Sequence, residues 1–191
     1  MHAEALREAL VERGALLDGH FRLSSGRHSD RFVQKFRILE DPAIVESIGK
    51  TLGAAVAAYA PTIVVSAAVG GIVLGYEVAR QLGTKAIFVE KEAGVPALRR
   101  GFALGPDDRV FVVEDVVTTG GSVREVLEIV AARGATTVAV GVIVRRQPSD
   151  FGVETVALLD LPVVSYDPAD CPQCAAGEPL VEPGSRFLAK P

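Results

Sequence analysis

Four apolar runs constrain this chain more than anything else in it: "TIVVSAA" (62–68), "AIFVE" (86–90), "RVFVVED" (109–115) and "TTVAVGVIV" (136–144). None alternates apolar with polar residues, as a strand with one wetted face does, so each reads as a strand buried on both faces. Between them lie stretches with helical spacing, "GGIVLGYEVARQLG" and "SVREVLEIVAARG", each closing on a glycine. Buried strands interleaved with helices predict an α/β fold, an open and mainly parallel sheet with helices on both faces.

The flanks before about Pro61 and after about Pro162 break this rhythm and are rich in Gly, Pro, Ser and charge. One helix stands out there. Asp41 is placed as its N-cap and Pro42 as its first residue, and Ile44, Val45, Ile48, Leu52, Ala55, Val56 and Tyr59 recur on one face. At 191 residues, 49% of them apolar, the chain suits a single domain. We expect an N-terminal hood and helix over about 1–60, a core over 61–160 and a C-terminal flank over 161–191, with the two flanks packed over one end of the sheet. From Tyr166 to Pro191 little regular structure is expected. "KEAGVPALRRGFALGPDD" (91–108) is too long for a routine connection and reads as a mobile loop, the alternative being a surface excursion with a short hairpin.

Composition excludes several classes. The net charge is −4 and the basic residues are dispersed, which argues against a nucleic-acid partner. No apolar run approaches the length of a membrane span, and "MHAEALREALVERG" is acidic and amphipathic, so a soluble cytoplasmic protein is expected. Cys171 and Cys174 in "DCPQC" are the only cysteines. A closed zinc site needs four ligands and no histidine lies near this pair in sequence, so a half-site, a redox pair, a disulfide and two plain thiols in a turn all stay open. His20 and His28 flank a "SG" turn and read as surface histidines without a catalytic role.

The chemistry concentrates in "FVVEDVVTTGGSVREV", Phe111 to Val126. Ser122 is placed as an N-cap and Glu125 completes a capping-box spacing, so a helix is expected from Ser122. Its free N–H groups, the glycines of "TTGG" and the hydroxyls of Thr118, Thr119 and Ser122 would cradle one phosphate. Glu114 and Asp115 at the strand end would repel a bare phosphate, yet a carboxylate is a strong acceptor for a sugar diol. A sugar phosphate meets both demands. "GKT" at Gly49 to Thr51 lacks the first glycine of a P-loop and lies mid-helix, and "AVGGIVLG" lacks dinucleotide-binding spacing.

"VVEDVVTTGGSV" closely resembles the 5-phosphoribosyl 1-pyrophosphate (PRPP) motif of the type I phosphoribosyltransferases, and "SAAVGGI" (66–72) resembles their pyrophosphate loop. "HFRLSSGRHSDRFVQKFRILEDP" (20–42) and "VIVRRQ" (142–147) resemble segments of the orotate phosphoribosyltransferases, and the resemblance to that family covers almost the whole chain. The resemblance implies transfer of phosphoribosyl from PRPP to orotate, giving orotidine 5-monophosphate and pyrophosphate in pyrimidine biosynthesis. It further implies Mg²⁺ carried by PRPP with no direct protein ligand, and a homodimer. It places Glu114 and Asp115 on the ribose hydroxyls, and Val116, Val117, Thr118, Thr119, Gly120, Gly121 and Ser122 around the 5-phosphate. Gly70, Gly71, Lys91, Arg99 and Arg100 would meet pyrophosphate, and Arg146, Thr118 and Phe32 the base. Arginine suits that last task because its planar fork pairs with a carboxylate that uracil and adenine lack.

The chain departs from many bacterial members of that family. They carry a lysine just before "SG", where this chain has Ser24, a lysine where it has Gly70, and a loop lysine and histidine where it offers Lys91, Arg99 and Arg100. Two other readings stay open, transfer to a purine or uracil and a regulator that senses PRPP.

Overall fold

A computed structural model describes residues 1–23 and 25–183. Ser24 and the last eight positions of the C-terminal flank lie outside the described residues. In chain order the elements are α1 (Ala3–Glu12), β1 (Leu16–Arg22), β2 (His28–Val33), α2 (Phe36–Leu39), α3 (Pro42–Val56), β3 (Ile63–Ala67), α4 (Gly70–Leu82), β4 (Lys85–Glu92), β5 (Val95–Leu98), β6 (Arg109–Val117), α5 (Gly121–Ala132), β7 (Thr136–Arg145), β8 (Thr155–Asp160), β9 (Ser165–Tyr166) and α6 (Pro172–Ala175).

Six strands form the main sheet in the order β5-β4-β3-β6-β7-β8, parallel except for the β4–β5 pair. Alternate side chains of its central strands enter two separate cores. Val64, Phe111 and Val113 pack with Leu52 and Val56 of α3 and Leu74 and Val78 of α4. Ile63, Val65, Val110 and Val112 pack on the opposite face with Val123, Val126 and Val130 of α5. A strand that feeds two cores has no polar face, which is why these runs do not alternate.

The chain leaves β3 toward β4 on one side, then crosses back to place β6 on the other side of β3. The carboxyl ends of β3 and β6 therefore diverge into opposite connections, the kind of crevice in which open α/β sheets bind ligands.

Asp41 caps α3 as its sequence indicates: its Oδ1 accepts from the amides of Ala43 and Ile44 at 2.9 and 3.3 Å. "GKT" lies inside that helix. The flanks meet in a second, three-stranded sheet ordered β1-β2-β9, antiparallel throughout. On the far side of β1, Val181 bridges Phe21, with Arg22 N to Val181 O at 2.9 Å and Val181 N to His20 O at 2.8 Å. The C-terminal flank thus grips the N-terminal hairpin along both edges.

Two expectations need correction. The first part of 91–108 is not loop but the end of β4 and the antiparallel edge strand β5, joined through Ala93 and Gly94, both at positive φ. The excursion continues from Arg99 and packs back through Phe102, whose ring meets Phe88 edge-on at 5.1 Å, and through buried Leu104. The capping box also fails. Helix α5 begins at Gly121, its N-cap is Gly120 in the left-handed region (φ 79°), and no side chain caps it. Ser122 is already helical, and Glu125 turns outward to Lys91 at 2.7 Å.

Candidate active site

Strand β6 carries Glu114 and Asp115 to the crevice and buries them, at 7% and 1% exposure. Two adjacent buried carboxylates need compensation. Part of it is local: the Glu114 carboxylate accepts from Asp115 N at 3.1 Å, and Asp115 Oδ1 from Val116 N at 2.7 Å. The rest comes from Lys35, which follows β2, with its ammonium 2.9 Å from Asp115 Oδ1 and 2.8 Å from Oδ2. Among the described residues, Glu114 has no cation of its own at hydrogen-bond distance. Burial, and then the neighbouring Asp115 charge, push its pKa up to about 8, against the smaller pull of the Asp115 amide and Lys35.

Lys35 was not among the residues singled out from sequence. Nothing in "FVQKFR" marks it, since its role depends on the hood folding back over the sheet. Gly70 explains how it fits. A Cβ at that position would overlap Asp115 Oδ2 and come within 2.8 Å of the Lys35 ammonium. The space a side chain would need at Gly70 is taken by the Asp115 carboxylate and the Lys35 ammonium. Gly71 is enclosed less tightly, with Ser66 Cβ 3.0 Å from where its own Cβ would stand.

The "VVTTGGS" loop follows Asp115 and lines a cavity of about 300 Å³ with Glu114, Val123, Glu125 and Lys91. Val116, Val117, Thr118, Thr119, Gly120, Gly121 and Ser122 all face it. Gly120 is required twice over, by its positive φ and because a Cβ there would meet the Phe151 ring at 2.7 Å. Hydroxyls, backbone amides at the start of α5 and one lysine at the rim suit a phosphate.

The other basic candidates divide. Lys91 joins the cavity. Arg99 and Arg100 do not: Arg100 pairs with Glu90 through two bonds of 3.0 and 3.1 Å, and Arg99 lies 3.2 Å from Glu92.

Arg145 and Arg146, adjacent at the end of β7, also separate. Arg145 forms a two-pronged pair with Asp160 at 2.6 and 3.0 Å. Arg146 is buried at 7% exposure; among the described residues its Nε has no partner, and its one side-chain hydrogen bond is a long one, 3.4 Å to the Arg31 carbonyl. Burial lowers its pKa from the ordinary arginine value, partly countered by Asp30. Its backbone amide donates to Val117 O at 2.8 Å, which sets it against the phosphate loop beside Thr118. Phe32, next to Arg31 on β2, is half-buried against Phe21. A second cavity of about 580 Å³ is lined by Arg146, Gln147, Pro148 and Pro162 among others.

The comparisons agree with this geometry. The model of the phosphoribosyl transferase domain matches residues 37–155. The orotate phosphoribosyltransferase of Pelotomaculum thermopropionicum is 52% identical over 177 residues, covering 92% of this chain and 93% of that one. Its namesake from Thermotoga maritima is 49% identical over 187 residues, 96% and 99% of the two chains. Among solved structures, the orotate phosphoribosyltransferase of Aeropyrum pernix superposes with a TM-score of 0.70 at 28% identity, covering 82% of this chain and 93% of that one. With the buried acid pair, the Thr/Gly loop and the crevice between β3 and β6 all in place, the chain belongs to the phosphoribosyltransferase family and within it to the orotate phosphoribosyltransferases.

Proposed function

We propose that the protein transfers the 5-phosphoribosyl group from PRPP to orotate, releasing pyrophosphate and forming orotidine 5-monophosphate for pyrimidine synthesis. The observation that carries the choice of base is Arg146, a buried guanidinium with an unpartnered Nε beside the phosphate loop. A buried cation with no carboxylate at hydrogen-bond distance is costly, and a ligand carboxylate would satisfy it bidentately.

In this reading Glu114 and Asp115 accept from the ribose hydroxyls, and residues 116–122 hold the 5-phosphate. Gly70 and Gly71 let backbone approach the pyrophosphate, and Phe32 and Thr118 flank the base. The C1–O bond to pyrophosphate breaks as a bond to the base nitrogen forms, the proton that nitrogen carried passes to the pyrophosphate or to water, and positive charge gathers on the ribose in between. The work of the protein is positioning and charge stabilisation. Its buried carboxylates lie near the developing cation, and Lys91 is the rim cation best placed to swing from Glu125 to the leaving group. Arg99 and Arg100 would have to leave Glu90 and Glu92 to assist.

PRPP enters as its Mg²⁺ complex, the ion being part of the substrate. The donor set supports that assignment, because the Lys35 ammonium on Asp115 competes with direct metal binding there. The family's magnesium requirement is thus met through the diphosphate.

We further propose one phosphoribosyltransferase unit over the whole chain, working in the cytoplasm as a homodimer. Val69, Val73 and Tyr76 support the dimer: they line one exposed side of α4 and its lead-in, 72%, 49% and 68% exposed, directly beside the Gly70 turn. None of the described helices is long and apolar enough to cross a membrane.

A panel of bases offered with Mg²⁺ and PRPP tests the reading. Pyrophosphate release with orotate is expected. Turnover with adenine or uracil and none with orotate would overturn it, and tight PRPP binding without turnover on any base would indicate a sensor.

A further inference from the structure

Away from the phosphate loop, the hood holds a cluster that the transferase chemistry does not use. His20 of β1, His28 at the start of β2, Cys171 and Cys174 bring one ligand atom each to a common point, all four within 4.8 Å of one another. This overturns the expectation that no histidine completes the Cys pair. Both histidines are also buried, at 3% and 5% exposure, and are not surface residues.

The separations are His20 Nε2 to His28 Nδ1 3.1 Å, Cys171 Sγ to His20 Nε2 3.4 Å, Cys174 Sγ to His20 Nε2 3.6 Å and Cys174 Sγ to His28 Nδ1 3.2 Å. A tetrahedral zinc with Zn–N about 2.0–2.1 Å and Zn–S about 2.3 Å has edges of roughly 3.3 Å between nitrogens, 3.5 Å from nitrogen to sulfur and 3.8 Å between sulfurs. The nitrogen–nitrogen edge and three nitrogen–sulfur edges lie within about 0.3 Å of those lengths, and the remaining two are bounded by 4.8 Å. One tautomer is also set for binding. His20 Nδ1 lies 3.0 Å from the Glu178 carbonyl oxygen, which can only accept. Nδ1 of the neutral ring therefore carries the proton, and Nε2 offers its lone pair to the centre, the outer hydrogen bond usual for a metal-bound histidine.

We propose that these four residues form a closed structural Zn²⁺ site. Two thiolates and two neutral imidazoles are the soft tetrahedral donor set that zinc favours over magnesium or calcium. The two thiolates balance the dication, so the filled site adds no net charge to a largely buried position. On binding, each thiol gives up its proton to solvent. All four positions are protein ligands, so no site is open for substrate and the metal has a structural role. That role follows from chain distance. The ion ties the C-terminal flank to the β1–β2 hairpin between the two edges that β9 and Val181 already grip. It fixes the strand that runs on to Phe32 and Lys35 over the active site.

The test uses untagged full-length protein purified under reducing conditions from zinc-supplemented cells, with metal content read by mass spectrometry of the elements. About one zinc per chain is expected in the wild type and near none in Cys174→Ser, whose side chain lies at the exposed edge of the cluster. Cobalt substituted into the wild type should give the absorption of a tetrahedral thiolate complex, a readout that does not depend on the variant folding. Reduced wild-type protein that holds no zinc and takes none up on titration would overturn the proposal. So would zinc retained in full by Cys174→Ser, or an intact-mass result showing Cys171 and Cys174 joined as a disulfide in the native protein.

Discussion

Replacing Asp115 with Asn removes one charge while keeping the shape of a side chain that is 1% exposed. If the carboxylate accepts from a ribose hydroxyl, the variant trades a charge-assisted hydrogen bond for a neutral one. A charged bond contributes about 1.5–3 kcal/mol and a neutral one about 0.5–1.5 kcal/mol, so the trade costs about 1–1.5 kcal/mol and kcat/KM for PRPP should fall roughly 5- to 13-fold. Folding should respond much less. The variant weakens the pair with Lys35, whose side chain is 35% exposed and so partly screened by solvent. It also relieves the repulsion that raises the Glu114 pKa. With these opposed, the net change should stay within about 1 kcal/mol, about 2–4 °C in Tm for a chain of this size. The assay is the loss of orotate absorbance on coupling to ribose, with calorimetry on the same samples. A kcat/KM within about twofold of wild type would refute a ligand-facing carboxylate, since no charged hydrogen bond is worth so little. A fall in Tm beyond roughly 10 °C would show that the acid pair holds the fold instead.

Glu114 links pH to stability. Its folded pKa of about 8 lies above its ordinary 4.5, so between those values the native state binds more protons than the unfolded one and stability falls as pH rises. Glu114→Gln should flatten this slope in ligand-free protein, as read from denaturant melts across that window; an unchanged slope would reject the assignment. PRPP binding near neutral pH should also release protons as Glu114 ionises to accept from ribose, visible as a buffer-dependent binding enthalpy. Arg146→Leu should raise KM for orotate by at least about tenfold with a small effect on PRPP binding, as expected when a buried guanidinium–carboxylate pair is lost; equal effects on both substrates would place Arg146 elsewhere. Gly70→Ala should cost about 1–3 kcal/mol of stability by overpacking against Asp115 and Lys35, and should weaken PRPP binding, both measurable on one preparation.

What could be read from the residues was local. The four buried runs, the helix capped by Asp41 and the unbroken "VVEDVVTTGGSV" owe their structure to neighbours in sequence, because periodicity, caps and glycine conformations act over a few residues. Even there one detail failed. Ser122 and Glu125 had capping-box spacing, but Gly120 in the left-handed region starts the helix earlier. The hairpin into β5 stood only as the alternative to a mobile loop, because a short edge strand leaves a weak pattern among glycines and charges. Tertiary structure alone decided which charges are free. The resemblance points to Arg146 in "VIVRRQ", but only the fold shows that Arg145 is paired with Asp160 while Arg146 has no carboxylate at hydrogen-bond distance among the described residues. Lys35 reaches Asp115 across 80 positions, and His20 reaches Cys171 across 151. Contacts of that span leave no periodic trace in the chain, because they depend on how the two flanks close over the sheet. The donor-sugar motif was therefore legible as text, whereas the cation that tends it and the cluster that anchors the hood emerged only once the chain was folded.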